Sequence, residues 1–349
     1  ARIMPDQTIP IIIINWRGLE DTLECMTSAL QLEGVSFHIH LIDNGSGDDS
    51  ARVLQDTYGN DSRVTLHLFE DNTGFTGGNN RVMAWLLEQY DSNEMPWIAL
   101  LNNDTAIEPN WLRALVDCGE QTGAGMVTSK MIIYDDRTLM DNAGHYMLNT
   151  GEILPLGHRQ PVGRFESRIE NMRACAGAVL YSSAMLRDIG LFDDHFSTGY
   201  EDAELGLRAV VCGYSCWYEP RAVVYHKGGQ SLNKVRNLRY LVSIQSHILY
   251  SYYKLMPGMF LWLNMPLMVL RYIMIFGFDL LFLRRNYLIM HTTAWWEQII
   301  VHGSERTKKR RSLFQNRSIR SGREMFSRIE WFWHTDWRRL KEYIGGKGG

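Results

Sequence analysis

Cysteine is scarce and poorly spaced for cross-linking. The five residues, Cys25, Cys118, Cys175, Cys212 and Cys216, are odd in number and form no CxxC pair, so neither a disulfide framework nor a zinc site is indicated and a reducing compartment fits best. A basic segment followed by a signal-type apolar run is also missing: the first apolar run, residues 11–14, is short and meets Asn15, so export is not expected. The glycines of residues 74–78 match neither GxGxxG nor GxxxxGK[ST], which leaves a dinucleotide fold and a P-loop unsupported. No nucleic-acid module is visible, and nucleic acid is not an expected partner.

What is present is bulk and uneven charge. A chain of 349 residues with 45% hydrophobic content can bury one large core and carry an appendage. Residues 251–349 hold 17 Lys or Arg against 7 Asp or Glu, a balance of +10, so the overall charge of −3 leaves −13 for residues 1–250. An acidic globular part is joined to a basic tail, a division that points to an anionic surface as partner.

Strand-like apolar runs lead repeatedly into polar residues. Residues 11–14 run into Asn15, 37–42 into Asp43-Asn44-Gly45-Ser46, 64–69 toward Asn72-Thr73-Gly74, and 97–101 into Asn102-Asn103-Asp104. Helical spacing follows at 19–30, from about 50, at 82–90 and at 109–118. Four strand-then-helix units in about 120 residues predict a parallel sheet with helices on both faces. In such sheets ligands sit beyond the carboxyl ends of the strands, where these polar residues fall. Each cluster also has a plain structural use: an Asx turn at Asp43, a helix cap at 102–105, a glycine loop before 82.

Regularity fades over 134–173, read as a mobile loop or small subdomain able to cover an acceptor. A strand at 176–181 and a helix at 183–189 restore it. Glu201 and Asp202 then open a helix, where the dipole favours ionised carboxylates, although they also suit an ordinary first turn. Glu204 and Arg208 are spaced to pair on that helix's surface. A last strand, 222–225, delivers His226 into Lys227-Gly228-Gly229; such a histidine is either structural or a metal ligand.

In this order and spacing the chain resembles the inverting, nucleotide-sugar-dependent glycosyltransferases of family 2. The set is Ile14-Asn15-Trp16, Asp43-Asn44-Gly45-Ser46, Asn72-Thr73-Gly74-Phe75, Gly78-Asn79-Asn80, Leu101-Asn102-Asn103-Asp104, Tyr200-Glu201-Asp202 and His226-Lys227-Gly228-Gly229. Bacterial rhamnosyltransferases of cell-surface polysaccharide synthesis are the most similar members. The resemblance implies a GT-A fold, Rossmann-like in three α/β/α layers, over residues 1–240, followed by a helical, amphipathic region over 241–349. It implies a donor site at Asn15, Asp43, Asn72, Gly74, Gly78, Asn79, Asn102 and Asn103, a metal site at Asp104 and His226, and catalytic residues Asp202, as base, and Glu201. Asn102 stands where the family's DxD has its first Asp, which leaves fewer charges at the metal. Mg²⁺ or Mn²⁺ suits a diphosphate, and a histidine ligand favours Mn²⁺.

The implied reaction moves a sugar, L-rhamnose from dTDP-L-rhamnose, to a lipid-linked or polysaccharide acceptor with inversion. A UDP-hexose donor and a catalytically silent scaffold that binds glycan or membrane are the alternatives. Residues 256–283 are apolar but interrupted by Asn264, Pro266, Arg271 and Asp279, which predicts two interfacial helices over a kinked span or a buried core helix. Residues 306–323 add eight basic residues and no acid, and Trp331, Trp333 and Trp337 follow. Basic charge with aromatics suits an anionic leaflet, hence a peripheral position at the cytoplasmic face of the cell membrane; a homo-oligomer contact is the other use of such a tail.

Overall fold

The run at residues 11–14 becomes the middle of β1 (Ile9–Asn15), the strand from which the sheet is built outward. Ile11, Ile12 and Ile13 are all buried, so both faces of the strand are covered and no polar alternation is needed. In the computed structural model, the described residues are 8–171, 173–196, 199–228, 237–315, 317, 319–333 and 335. They form two units, one of residues 1–145, 155–210 and 214–233, the other of 146–154, 211–213 and 234–349. Residues 146–154 therefore go with the C-terminal region, which a linear division at 240 does not convey.

In the first unit β1, β2 (Phe37–Asn44), β3 (Val64–Phe69) and β4 (Trp97–Asn102) lie parallel. Helices α1 (Leu19–Ala29), α2 (Ser50–Tyr58) and α3 (Gly74–Gln89) make the crossovers that parallel neighbours require. After β4 come β5 (Thr105–Ile107), α4 (Trp111–Thr122), β6 (Met126–Ile133) and β7 (Met140–Asn142). Two short strands, β8 (His145–Met147) and β9 (Ile153–Pro155), pair separately; β10 (Ile169–Asn171), β11 (Ala178–Ser182), α5 (Ser183–Ile189), α6 (Glu201–Val211) and β12 (Cys216–His226) complete the series.

The main sheet runs β10-β12-β6-β11-β4-β1-β2-β3, with β5 on β12 and β7 on β6. The four strands expected to be parallel are so, and the sheet as a whole is mixed. β11 is antiparallel to both β4 and β6, because the chain leaving β6 reaches it through 134–177 with no crossover helix to carry it back to the opposite edge. β12 is parallel to β6 and antiparallel to β5.

The glycine-rich stretch at 74–80 is helix, not the loop expected before residue 82. Its start is held by Asn44, whose Nδ2 donates to Asn72 Oδ1 and the Gly74 carbonyl (both 3.0 Å) while its Oδ1 accepts from Thr73 Oγ1 (3.1 Å). Glycine there serves packing: a Cβ on Gly78 would lie 2.4 Å from Ile14 Cδ1. The local signal for a loop is thus overridden by a close approach of helix to strand.

The second unit is helical: α7 (Leu238–Leu255), α8 (Gly258–Leu281), α9 (Arg285–Trp296), a π-helical turn (Glu297–Val301), α10 (Gly303–Gln315) and α11 (Gly322–Phe326). Residues 258–281 form one continuous helix of 24 residues, where two interfacial helices were expected. Pro266 removes one backbone hydrogen bond without ending the helix. Among the described residues α8 alone is long and apolar enough to cross a membrane. Asn264, Arg271 and Asp279 are nevertheless almost wholly buried, on the side of the helix turned into its own unit.

Candidate active site

The carboxyl ends of β1 and β2 set the first part of the site. Asn15 and Asp43 are register partners, so their side chains leave the sheet at the same level. Asn15 Nδ2 donates to Asp43 Oδ1 (2.7 Å), Ser46 Oγ donates to the same oxygen (2.5 Å), and the Ser46 amide donates to Oδ2 (3.3 Å). Three donors fix the carboxylate as an acceptor beside the strand ends, the arrangement suited to a nucleoside's imide or ribose. Gly45 lets this turn lie against the 71–72 backbone: its φ is +65°, and a Cβ would come within 2.4 Å of the Asp71 carbonyl carbon. Asn72 sits on the same wall, where its Oδ1 accepts from Asn44 and from the Gly74 amide (2.8 Å).

Other expected donor residues are used inside the protein. Gly78 packs on Ile14, and Asn79, almost wholly buried, donates to the Phe75 carbonyl of its own helix (2.9 Å). Asn103 Nδ2 donates to Thr22 Oγ1 (2.9 Å) and so holds the start of α1. Asn102 ends β4, with its amide on the Gly177 carbonyl (2.8 Å) and its carbonyl accepting from Thr105 Oγ1 (2.6 Å). Asn15, Asp43, Asn72 and Gly74 thus stand together at the ends of β1 and β2.

Asp104 and His226 come from positions 122 residues apart and meet. The antiparallel pairing of β5 with β12 places His226 opposite Thr105, the residue after Asp104. His226 Nε2 lies 3.3 Å from Asp104 Oδ1, and His226 Nδ1 lies 2.8 Å from Asp141 Oδ2. Burial opposes charge on His226, but the hydrogen bonds to Asp104 and Asp141 outweigh it and push its pKa up to about 10. Asp141 is pulled the other way: burial raises it, and the bond to His226 more than compensates, leaving it below the usual carboxylate range. A carboxylate oxygen and an imidazole nitrogen at this separation fit neighbouring ligands of one divalent cation with bonds of about 2.1 Å. The carboxylate on the other ring nitrogen fixes the tautomer, as around metal-binding histidines generally.

Asp202 stands at the start of α6, with Oδ2 accepting from the Ala176 amide (3.1 Å) and Oδ1 from the Ala203 amide (2.6 Å). Two backbone donors aim the group. Gly199 (φ +86°) and Tyr200 (φ +80°) turn the chain into this helix through left-handed backbone, a strained entry that for tyrosine costs energy. Glu201 is buried, and burial with the Asp202 charge raises its pKa to about 8. Both effects favour its protonated form. Glu204 and Arg208 pair as expected, yet in the interior instead of on the surface: Arg208 donates to Glu204 Oε2 (2.8 Å) and also to the carbonyls of Ile189 and Leu191 (both 2.6 Å).

These groups share one field. His145, half-buried beside Asn142, feels the charges of both Asp202 and Asp141; its pKa is lowered, chiefly by desolvation. The Cys175 thiol is raised first by burial, then by Asp202, Asp141 and Asp104 together. Asp141, His145, Arg173 and Cys175 are residues the sequence reading missed. They lie in or beside the irregular 134–173 stretch, which has no period to expose them. One signal was present: Asp141-Asn142-Ala143-Gly144 loosely repeats the acid–amide–glycine turn of Asp43-Asn44-Gly45.

A family model, Glycosyl transferase family 2, matches residues 11–190, more than half of the chain. This chain belongs to glycosyl transferase family 2. The succinoglycan biosynthesis protein ExoO of Rhizobium meliloti (strain 1021) is 24% identical over 247 residues, which cover 68% of this chain and 65% of that protein. An uncharacterized protein, y4gI of Sinorhizobium fredii (strain NBRC 101917 / NGR234), is 26% identical over 202 residues, 55% of this chain and 21% of its own length. The chain thus spans less than two thirds of either relative. Among solved structures, GalNAc-T7 with UDP, GalNAc and Mn²⁺ is similar with a TM-score of 0.55 and 14% identity, over 71% of this chain and 50% of that one. The fold of the first unit is accordingly GT-A, with a helical region after it.

Proposed function

We propose that this member of family 2 is an inverting, metal-dependent glycosyltransferase that moves a sugar from a nucleotide-sugar donor to a saccharide acceptor. The observation that carries the reading is the meeting of Asp104 with His226 at 3.3 Å, in the same field as Asp202. Asp43 and Asn15 hold the nucleoside and orient it along the strand ends. Asp104 and His226 would hold Mn²⁺ or Mg²⁺, which when bound supplies Lewis-acid stabilisation of the departing diphosphate. Asp141 keeps the His226 ring turned toward that position. Asp202, aimed by two amides, takes the acceptor hydroxyl's proton as the oxygen attacks the anomeric carbon from the face opposite the diphosphate. One bond forms as the other breaks, so the configuration inverts.

The donor we assign is dTDP-L-rhamnose, from the resemblance to rhamnosyltransferases; the acceptor is a lipid-linked or polysaccharide glycan. A relative in succinoglycan biosynthesis supports a polysaccharide context. The helical unit would place the enzyme on the cytoplasmic face of the cell membrane. A thermal-shift panel of dTDP-L-rhamnose, UDP-glucose and GDP-mannose, with and without Mn²⁺, tests this. Donor at 100 times its Kd contributes about 2.7 kcal/mol, a rise of a few degrees in Tm. We expect that rise with dTDP-L-rhamnose and Mn²⁺ together. Stabilisation by a UDP-hexose alone would reassign the donor, and none by any donor would favour a silent scaffold. Asp141→Asn should weaken Mn²⁺ binding roughly 10- to 100-fold while leaving Asp104 and His226 in place.

A further inference from the structure

On α8 several polar groups are turned inward and many apolar ones outward. Along α8, Asn264 is wholly buried, its Oδ1 accepting from Asn149 Nδ2 (2.8 Å); Arg271 pairs with Glu152 (2.7 Å) and Asp279 with Arg284 (3.1 Å). The opposite side presents Met259, Trp262, Leu263, Val269, Leu270 and Ile273 to the surroundings, with Trp262 81% exposed and Ile273 63%. The apolar surface continues through Leu281 and Leu283 to Trp296 and Ile299. An exposed patch of this extent does not stay in water.

The covered side of α8 is marked by Phe260, Asn264, Met268, Arg271 and Asp279. Apolar residues gathered on the other side suit a helix lying in a leaflet with that side in the hydrocarbon. The basic residues that follow on α10, among them exposed Lys308 and Arg311, complement an anionic headgroup layer.

In the same unit α7, α8 and α9 enclose a groove of about 680 Å³, within the size range of small-molecule sites. Its walls are Tyr253, Met268, Tyr272, Phe276 and Trp295, with Gly277 at one side. Val269 and Ile273 line the groove and also belong to the exposed apolar face, so it opens where that face does. The Tyr272 hydroxyl is engaged by Gln245 (3.0 Å), and His291 and Thr292 are the other polar residues of a lining that is otherwise apolar. An empty groove of this kind forfeits dispersion contacts.

We propose that this groove seats one hydrocarbon chain of a bilayer phospholipid while the outward face of α8 lies in the same leaflet. Aromatic rings and methionine thioethers suit such a chain because they adapt to its kinks. The inference rests on the membrane part of the reading above and adds a bound lipid to it.

Gly277→Trp is the direct test, since no atom lies within 4 Å of a Cβ built there and the indole would fill the groove. The full chain is floated with phosphatidylcholine vesicles containing one fifth phosphatidylglycerol, then examined by native mass spectrometry. Wild type should float and retain one phospholipid; Gly277→Trp should float equally and retain at least tenfold less. Equal retention by both overturns the groove and leaves the membrane reading intact. Failure of wild type to float, with a soluble dimer that Trp262→Glu with Leu263→Glu dissociates, overturns both and assigns the face to a second copy. Vesicles with brominated acyl chains supply a check that needs no groove-filling variant: Trp295→Phe should remove part of the quenched fluorescence, and no change counts against the groove.

Discussion

The sheet of the first unit and helix α8 of the second use the same residue types in opposite places. In the first, Ile11, Ile13, Leu41 and Leu101 fill the sheet's interior and the carboxylates stand at strand ends; in the second, Asn264, Arg271 and Asp279 are interior and Trp262, Leu263 and Ile273 are outside. The first arrangement minimises free energy in water, where apolar area is what must be hidden. The second would do so where the surroundings are themselves apolar, as in the membrane contact proposed above. Several substitutions test whether the contrast holds.

The largest effect belongs to the polar end of the first unit. Asp202→Asn should lower kcat about 10²- to 10⁴-fold with a far smaller change in Tm, measured by donor turnover and calorimetry. Glu201→Gln, which mimics the protonated form that burial and Asp202 favour, should stay within a few-fold of wild type. A comparable loss in both variants would contradict the separate roles. Next, Leu41→Ala in the sheet interior should cost about 2–5 kcal/mol in denaturant unfolding, whereas Leu263→Ala in aqueous detergent-free buffer should cost nothing and improve solubility. If Leu263→Ala destabilises as Leu41→Ala does, its side chain is core and the second unit is an ordinary soluble one.

Breaking the interior pair in the helical unit should come third. Arg271→Met leaves Glu152 without its cation and should cost about 3 kcal/mol, while Arg271→Met with Glu152→Met should recover most of that loss. The smallest effect is a pH dependence in the first unit. His40 and His67 stack between β2, β3 and Trp85, and burial lowers both pKa values, that of His67 to about 4. A histidine held neutral contributes stability that is whole above the unfolded value near 6.5 and disappears as pH falls from there toward 4. The Tm difference between pH 7 and pH 5 should therefore shrink in His67→Asn, by the equivalent of about 1 kcal/mol.

The elements legible in the sequence were those whose period or chemistry is local. Val64–Phe69 and Ser183–Ile189 fall where they were expected, and the polar strand ends at Asn15, Asp43 and Asp104 do gather at one edge. Three kinds of information were not local. Whether a strand lies parallel or antiparallel depends on how the chain returns, so the direction of β11 could not be read from its residues. Whether a glycine marks a loop or a close contact depends on its partner, and Gly78 meets Ile14 across 64 positions. The third was Asp141, a short acidic residue in an irregular stretch, whose part is visible only once His226 is beside it.

The ladder that brings His226 to Asp104 has a consequence for chain length. β12 follows β6 residue for residue through Glu219 opposite Ser129, then resumes with Val223 opposite Lys130, so Pro220, Arg221 and Ala222 are extra. This insertion is the spacer that decides which residue arrives at the end of the strand. Losing one residue there would deliver Lys227 in place of the imidazole while every upstream pair stayed intact. Deletions between Glu219 and Val223 should therefore yield folded, inert protein, and homologous chains that vary freely in the turns around this segment should keep its count.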